Sequence, residues 1–284
     1  MNITTLLDKV YFAPRLKKID FYANRAGELQ HRVLDRLVRM AENTEWGKKY
    51  DYKSIHTYED FRNRLPIQTY EEVKPYVERL RAGEQNLLWP SEIRWFAKSS
   101  GTTNDKSKFL PVSKEALNDT HYQGGKDAVA LYLGQNPDSR FFSGQGLILG
   151  GSHSPNLNSR HGLVGDLSAI LIQNIHPLVN CVRVPSKKIA LMSDFEKKIE
   201  AIANSAVSKD VTSLSGVPSW MLVLIKRILE KTGKQSLEEI WPNLEVFFHG
   251  GVAFTPYREQ YKEVIRSPKM HYVETVSYTH LTLP

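Results

Sequence analysis

One cysteine in 284 residues, Cys181, excludes an intrachain disulfide and any cysteine-built zinc centre. No apolar run approaches the roughly 18 residues needed to span a bilayer, so no membrane partner is expected. The opening Met1 to Lys9 has no apolar core of the kind a signal peptide needs, and a cytoplasmic protein is the default expectation. Zinc-finger spacing, an RNP motif and basic runs are all missing. The 38 Lys and Arg against 31 Asp and Glu, a net +7, are scattered among acids. A nucleic-acid partner is therefore not expected, although an anionic ligand would be drawn to the same excess. There is no internal repeat and no low-complexity linker. What is present, 41% hydrophobic and 24% charged residues, describes a soluble globular chain large enough for a sizeable core.

Apolar spacing changes along the chain. Residues 1 to about 50 read as helical, with Leu29, Val33, Leu37 and Met40 on one stripe and Leu34, Val38 and Ala41 beside it. That face is expected to pack on its own domain. Thr57 to Asp60 and Thr69 to Glu72 look like helix starts, the second with capping-box spacing. From about residue 90, strands alternate with helices. Candidate strands are the second half of 86–97, 144–149, 178–184 (with Cys181 as a core thiol), 211–216, 244–249 and 270–275. Helices are expected from Ser113, from the Ser193–Glu196 box, from Val217–Met221, from Ser236 and from Thr255. This alternation predicts an α/β fold with a mostly parallel sheet, flanking helices and a helical N-terminal region over 1–85.

Ligands in such folds sit on loops at the carboxyl ends of strands. Three loops qualify: Ser99 to Lys108, Gly150 to Ser152, and Gly250 to Phe254. His153 and His161 flank a polar loop but have no third ligand at a convincing offset, so no metal site is assigned there. In the first loop, Ser99, Ser100, Thr102 and Thr103 crowd around Gly101, and Lys106 and Lys108 follow. A glycine-permitted turn lets successive N–H groups face one anion, while hydroxyls and ammonium groups add donors. The loop lacks the second glycine of the common P-loop, and a plain solvated turn would have the same composition.

The order of its residues is more specific. Ser99-Ser100-Gly101-Thr102-Thr103, then Lys108, then Pro111, resembles the phosphate loop of adenylate-forming enzymes. More closely it resembles that of the Gretchen-Hagen-type (auxin-responsive) acyl-acid-amido synthetases. Phe248-His249-Gly250-Gly251-Val252-Ala253 is similar, in order and distance, to the turn that borders adenine in them. Val217-Pro218-Ser219-Trp220-Met221 resembles a stretch near the acyl site of bacterial members. The resemblance covers about residues 25 to 275, roughly the first half of a family member.

It implies ATP and Mg²⁺, with a small carboxylic acid and an amino acid as substrates. It also implies Lys108 as the catalytic cation, and Ser99, Ser100, Gly101, Thr102, Thr103, Gly250, Gly251, Val252 and Ala253 around the nucleotide. Val217, Trp220 and Met221 would lie beside the acyl group. No metal ligand is carried over, because Glu274 falls short of the family's acidic motif. Asp105 stands where many relatives have glycine. On this reading residues 1–275 are a partial N-terminal domain, 276–284 are a non-native tail, and the C-terminal lid domain is absent, which leaves the piece weakly active or inactive alone. Thioester formation with coenzyme A and a non-catalytic anion-binding module remain as alternatives.

Overall fold

The computed structural model describes residues 3–99 and 108–275. Eight strands appear among them: β1 Trp95–Lys98, β2 Phe109–Val112, β3 Gln145–Leu149, β4 Leu163–Gly165, β5 Arg183–Val184, β6 Val211–Gly216, β7 Val246–His249 and β8 His271–Glu274. They form two sheets, and the chain divides into two compact units. The mixed α/β class agrees with expectation. A single sheet holding every strand does not.

The hairpin unit comprises Arg15–Asp127 and Ser154–Ile170. Its sheet has the order β2-β1-β4, with β1 antiparallel to β2 and parallel to β4. Val77 and Leu80 from the helix Tyr70–Arg81 pack with Leu87, Ile93, Phe96 and Val164. That helix starts at a capping box, where Glu72 Oε2 accepts from Thr69 N–H at 2.6 Å. The helix Tyr58–Arg64 starts at a second box, Thr57 with Asp60. Glu115 accepts from Trp89 Nε1 at 3.0 Å and from Ser91 Oγ at 2.8 Å, which ties the chain entering β1 to the chain leaving β2.

The helix Ala26–Ala41 corrects the expected stripe. Val38 and Ala41 are buried, while Val33, Leu37 and Met40 are exposed. Its apolar arc is wider than the contact its neighbours make, so only one edge of it is covered.

The sheet unit comprises 1–14, 128–153 and 171–284. Its five strands are all parallel, in the order β5-β3-β6-β7-β8. β7, an interior strand between β6 and β8, is buried at all four positions, as expected of a strand covered on both faces. Ile202 and Ala206 of the helix Phe195–Ala206, and Met221 and Ile225 of the helix Pro218–Thr232, join Leu147, Leu214, Phe247, Trp241 and Tyr261 in one core. Trp241 Nε1 donates to Ala206 O at 3.2 Å and Tyr261 OH to Pro218 O at 2.8 Å, so both buried polar tips are satisfied.

Cys181 is exposed, not a core thiol. The helix Pro177–Asn180 precedes it, and only Arg183 and Val184 join the sheet edge. The cap of the helix Phe195–Ala206 is Asp194, one residue beyond the expected Ser193. Among the described residues no helix is long and apolar enough to cross a membrane.

Candidate functional site

Each of the three expected loops has named contacts at its base. The first belongs to the hairpin unit. The β1–β2 ladder runs from Trp95↔Val112 to Lys98↔Phe109, and Ser99 N–H extends it by donating to Lys108 O at 2.9 Å. Lys108 N–H donates in turn to Ser99 Oγ at 3.1 Å. Ser99 and Lys108 therefore close the β1–β2 hairpin at its neck. Ser100, Gly101, Thr102 and Thr103, expected at the nucleotide, lie outside the described residues, as do Asp105 and Lys106.

The neck has neighbours that the sequence did not disclose. Tyr70 OH accepts from Phe109 N–H at 2.9 Å. The Lys108 ammonium lies 5.5 Å from the Tyr70 ring centroid. On the next residue, the Arg81 guanidinium sits 4.0 Å from the Phe109 ring centroid while donating to Leu157 O at 2.9 Å. Tyr70 read as part of a helix start, and no local pattern links it to a strand almost forty residues later.

The second loop, in the sheet unit, leaves β7. His249 is buried, its ring stacked on Phe254 at 4.3 Å and 26°. The turn Gly250-Gly251-Val252-Ala253 is thus closed at its base by two rings. Its two glycines serve different ends. A Cβ on Gly250 would run into the carbonyl oxygen of Thr275, which follows β8 and donates its own N–H to His249 O at 2.6 Å. Gly251 has φ +85°, a conformation costly for side-chain-bearing residues. Val252 and Ala253 are exposed at the tip.

Burial pushes the His249 imidazole below the usual histidine range. Glu274 opposes that shift and Arg258 adds to it. His249 is accordingly neutral near pH 7, in keeping with a structural rather than proton-carrying place.

Val217 lies against this turn, its methyl 3.3 Å from where a Gly251 Cβ would sit. Trp220 is 40% exposed and faces Phe195 edge-on, ring centroids 6.1 Å apart. Met221 is fully buried in the core. Of the three residues expected at an acyl group, two reach the carboxyl edge of the sheet or the surface, and the third does not.

The third loop, Gly150 to Ser152, is held by a residue the helical pattern hid. Lys198 is 1% exposed and donates to Gly150 O and Gly151 O, both at 2.8 Å. Along the carboxyl edge of the parallel sheet, a buried lysine holds the loop after β3, and a stacked ring pair together with Val217, which follows β6, borders the turn after β7.

Among the described residues no three His, Cys, Asp or Glu side chains gather as a metal site.

A family model described as the GH3 family N-terminal domain matches residues 15–270. The chain belongs to the GH3 family. Indole-3-acetic acid-amido synthetase GH3.2 of Arabidopsis thaliana is 30% identical over 103 residues, 36% of this chain and 19% of that protein. Jasmonoyl--L-amino acid synthetase JAR4 of Nicotiana attenuata is 26% identical over 106 residues, 37% of this chain and 18% of that one. Among solved structures, the AtGH3.15 acyl acid amido synthetase in complex with 2,4-DB superposes with a TM-score of 0.71 at 16% identity. That match covers 92% of this chain and 54% of the other, so this GH3 chain spans about half the length of that solved relative. At such identity the likeness is one of fold.

Proposed function

We propose that this chain carries the nucleotide-facing part of an ATP-dependent acyl-acid amido synthetase. The GH3 match across residues 15–270 carries the reading, and it is supported by relatives named as amido synthetases for indole-3-acetic acid and jasmonate. A carboxylate oxygen of a small organic acid attacks the α-phosphorus of ATP. The bond to the bridging oxygen breaks, leaving acyl-adenylate and pyrophosphate. The amine of an amino acid then attacks the acyl carbon, loses a proton and expels AMP.

Chemistry of this kind asks the protein mainly for positioning and for charge placed where the phosphates lie. Lys108, held at the hairpin neck, meets the β- and γ-phosphates, with Ser99 and the loop residues Ser100, Gly101, Thr102 and Thr103 as donors. Gly250, Gly251, Val252 and Ala253 border the adenine. Val217 and Trp220 offer apolar surface to the acyl group, with Met221 behind them in the core. Mg²⁺, if used, would be held mainly by the phosphates of the nucleotide and would neutralise their charge, since it is usually held by phosphates with few protein carboxylates.

The test is exchange of labelled pyrophosphate into ATP, measured on this chain and on a family-length protein that carries it. A panel of aromatic and aliphatic acids serves as substrate. Exchange that requires an acid, and falls about 100-fold or more in Lys108→Ala, is expected. No exchange with any acid in either protein overturns the proposal.

A further inference from the structure

Tyr70 meets two consecutive residues of the phosphate hairpin with two different parts of one side chain. Its hydroxyl accepts the Phe109 N–H at 2.9 Å and lies 3.5 Å from the Phe109 carbonyl oxygen. Its ring carries the Lys108 ammonium 5.5 Å from the centroid, within cation–π range. Tyr70 is itself anchored. It is the first residue of the helix Tyr70–Arg81, whose cap bonds Glu72 Oε2 to Thr69 N–H at 2.6 Å and to Thr69 Oγ1 at 2.7 Å. Val77 and Leu80 bury the same helix against Phe96 of β1.

A lysine side chain has four rotatable bonds and a compact charge that water solvates well, so by itself it holds no direction. At position 108 the backbone is clamped to Ser99 on one side, and the ammonium rests on a ring whose hydroxyl is bonded to the Phe109 N–H. We infer that Tyr70 is a positioning residue that aims Lys108 at a bound polyphosphate. This rests on the nucleotide-site reading above.

A tyrosine that merely props the helix on β2 would act through its hydroxyl and through stability. One that aims Lys108 acts through its ring, and only while Lys108 is present. ATP affinity of this chain is therefore measured by calorimetry for wild type, Tyr70→Phe, Tyr70→Leu, Lys108→Ala and the Tyr70→Leu/Lys108→Ala pair. The lysine ε-methylene protons are followed by NMR without ligand. Aiming predicts about a twofold loss for Phe and about a tenfold loss for Leu. It also predicts no further loss when Leu is added to Lys108→Ala. In the free protein, Lys108 ε-protons are shifted upfield by the ring, retain that shift in Phe and lose it in Leu.

Wild type binding ATP while Leu binds as tightly, or losses that add in the double variant, overturns the aiming role alone. An unshifted Lys108 in wild type overturns it whatever ATP does. If wild type binds no ATP, the nucleotide reading falls and takes the aiming role with it. The NMR shift then still reports whether the ring holds Lys108.

Discussion

At the hairpin neck, Ser99 and Lys108 exchange backbone and hydroxyl bonds, and a tyrosine from a neighbouring helix touches Lys108 and Phe109. Around the glycine turn the contacts are chiefly rings and backbone, beside one hydroxyl bond from Thr275 Oγ1 to His249 O at 3.0 Å. His249 and Phe254 stack beneath it, Phe254 packs on Tyr272 at 4.9 Å and on Tyr261 at 5.2 Å, and the Thr275 backbone crowds Gly250. The neck is directed by hydrogen bonds and charge, and the turn by packing. The difference fits the proposed roles: a loop proposed to face phosphates would need donors and an oriented cation, whereas a turn proposed to lie against a flat base would need a fixed backbone shape with little side chain in the way.

If packing carries the turn, its largest cost comes from emptying that packing. Phe254→Ala should destabilise the protein by about 3–5 kcal/mol, seen as a lower urea midpoint. A shift under about 1 kcal/mol would mean the rings are incidental. Gly250→Ala tests the close approach of Thr275 and should cost about 1–3 kcal/mol, because backbone rather than a flexible side chain must give way. At the neck the comparable change is smaller. Ser99→Ala removes the acceptor of the Lys108 N–H and should cost about 1 kcal/mol in the same assay. If Ser99→Ala proves as damaging as Phe254→Ala, the contrast between the two regions fails.

The smallest expected effect is a slope with pH. His249 is depressed in the folded protein, first by burial, with Arg258 adding and Glu274 opposing. Below about pH 6.5 the unfolded chain takes up a proton that the native ring resists. Stability held at pH 7.5 should therefore fall as pH drops from about 6.5 toward the native value. His249→Gln should flatten that fall, leaving the part due to His121, which burial shifts the same way. Urea midpoints of both proteins at pH 7.5 and 5.5 decide it, and equal losses would remove His249 from the explanation.

Much of this architecture was legible because its signals are local. The Thr69–Glu72 and Ser236–Glu239 boxes form as their spacing predicts. β3, β6, β7 and β8 fall within their apolar runs. What escaped was non-local. β2 carries Pro111 and is not among the candidate strands, yet it is a strand because β1 pairs with it. That pairing makes Ser99 and Lys108 the neck of an antiparallel hairpin rather than the end of a parallel strand.

Cys181 sits in a run that looks like a buried strand, but the sheet takes only the two residues beginning at Arg183. Lys198 interrupts a helical apolar face, and nothing nearby in sequence marks it as the clamp on the carbonyls of Gly150 and Gly151. The candidate site divides the same way. Ser99, Lys108, Gly250 and Gly251 stand out through motif order, while Tyr70, Phe254 and Thr275 become visible only when distant segments meet.

The most direct measurement is a calorimetric titration of ATP into this chain beside its Lys108→Ala variant, at two salt concentrations. The hairpin reading predicts saturable binding by the wild type that weakens as salt rises, and at least about tenfold weaker binding by the variant. Equal affinity of the two proteins, or no binding by the wild type, would contradict it.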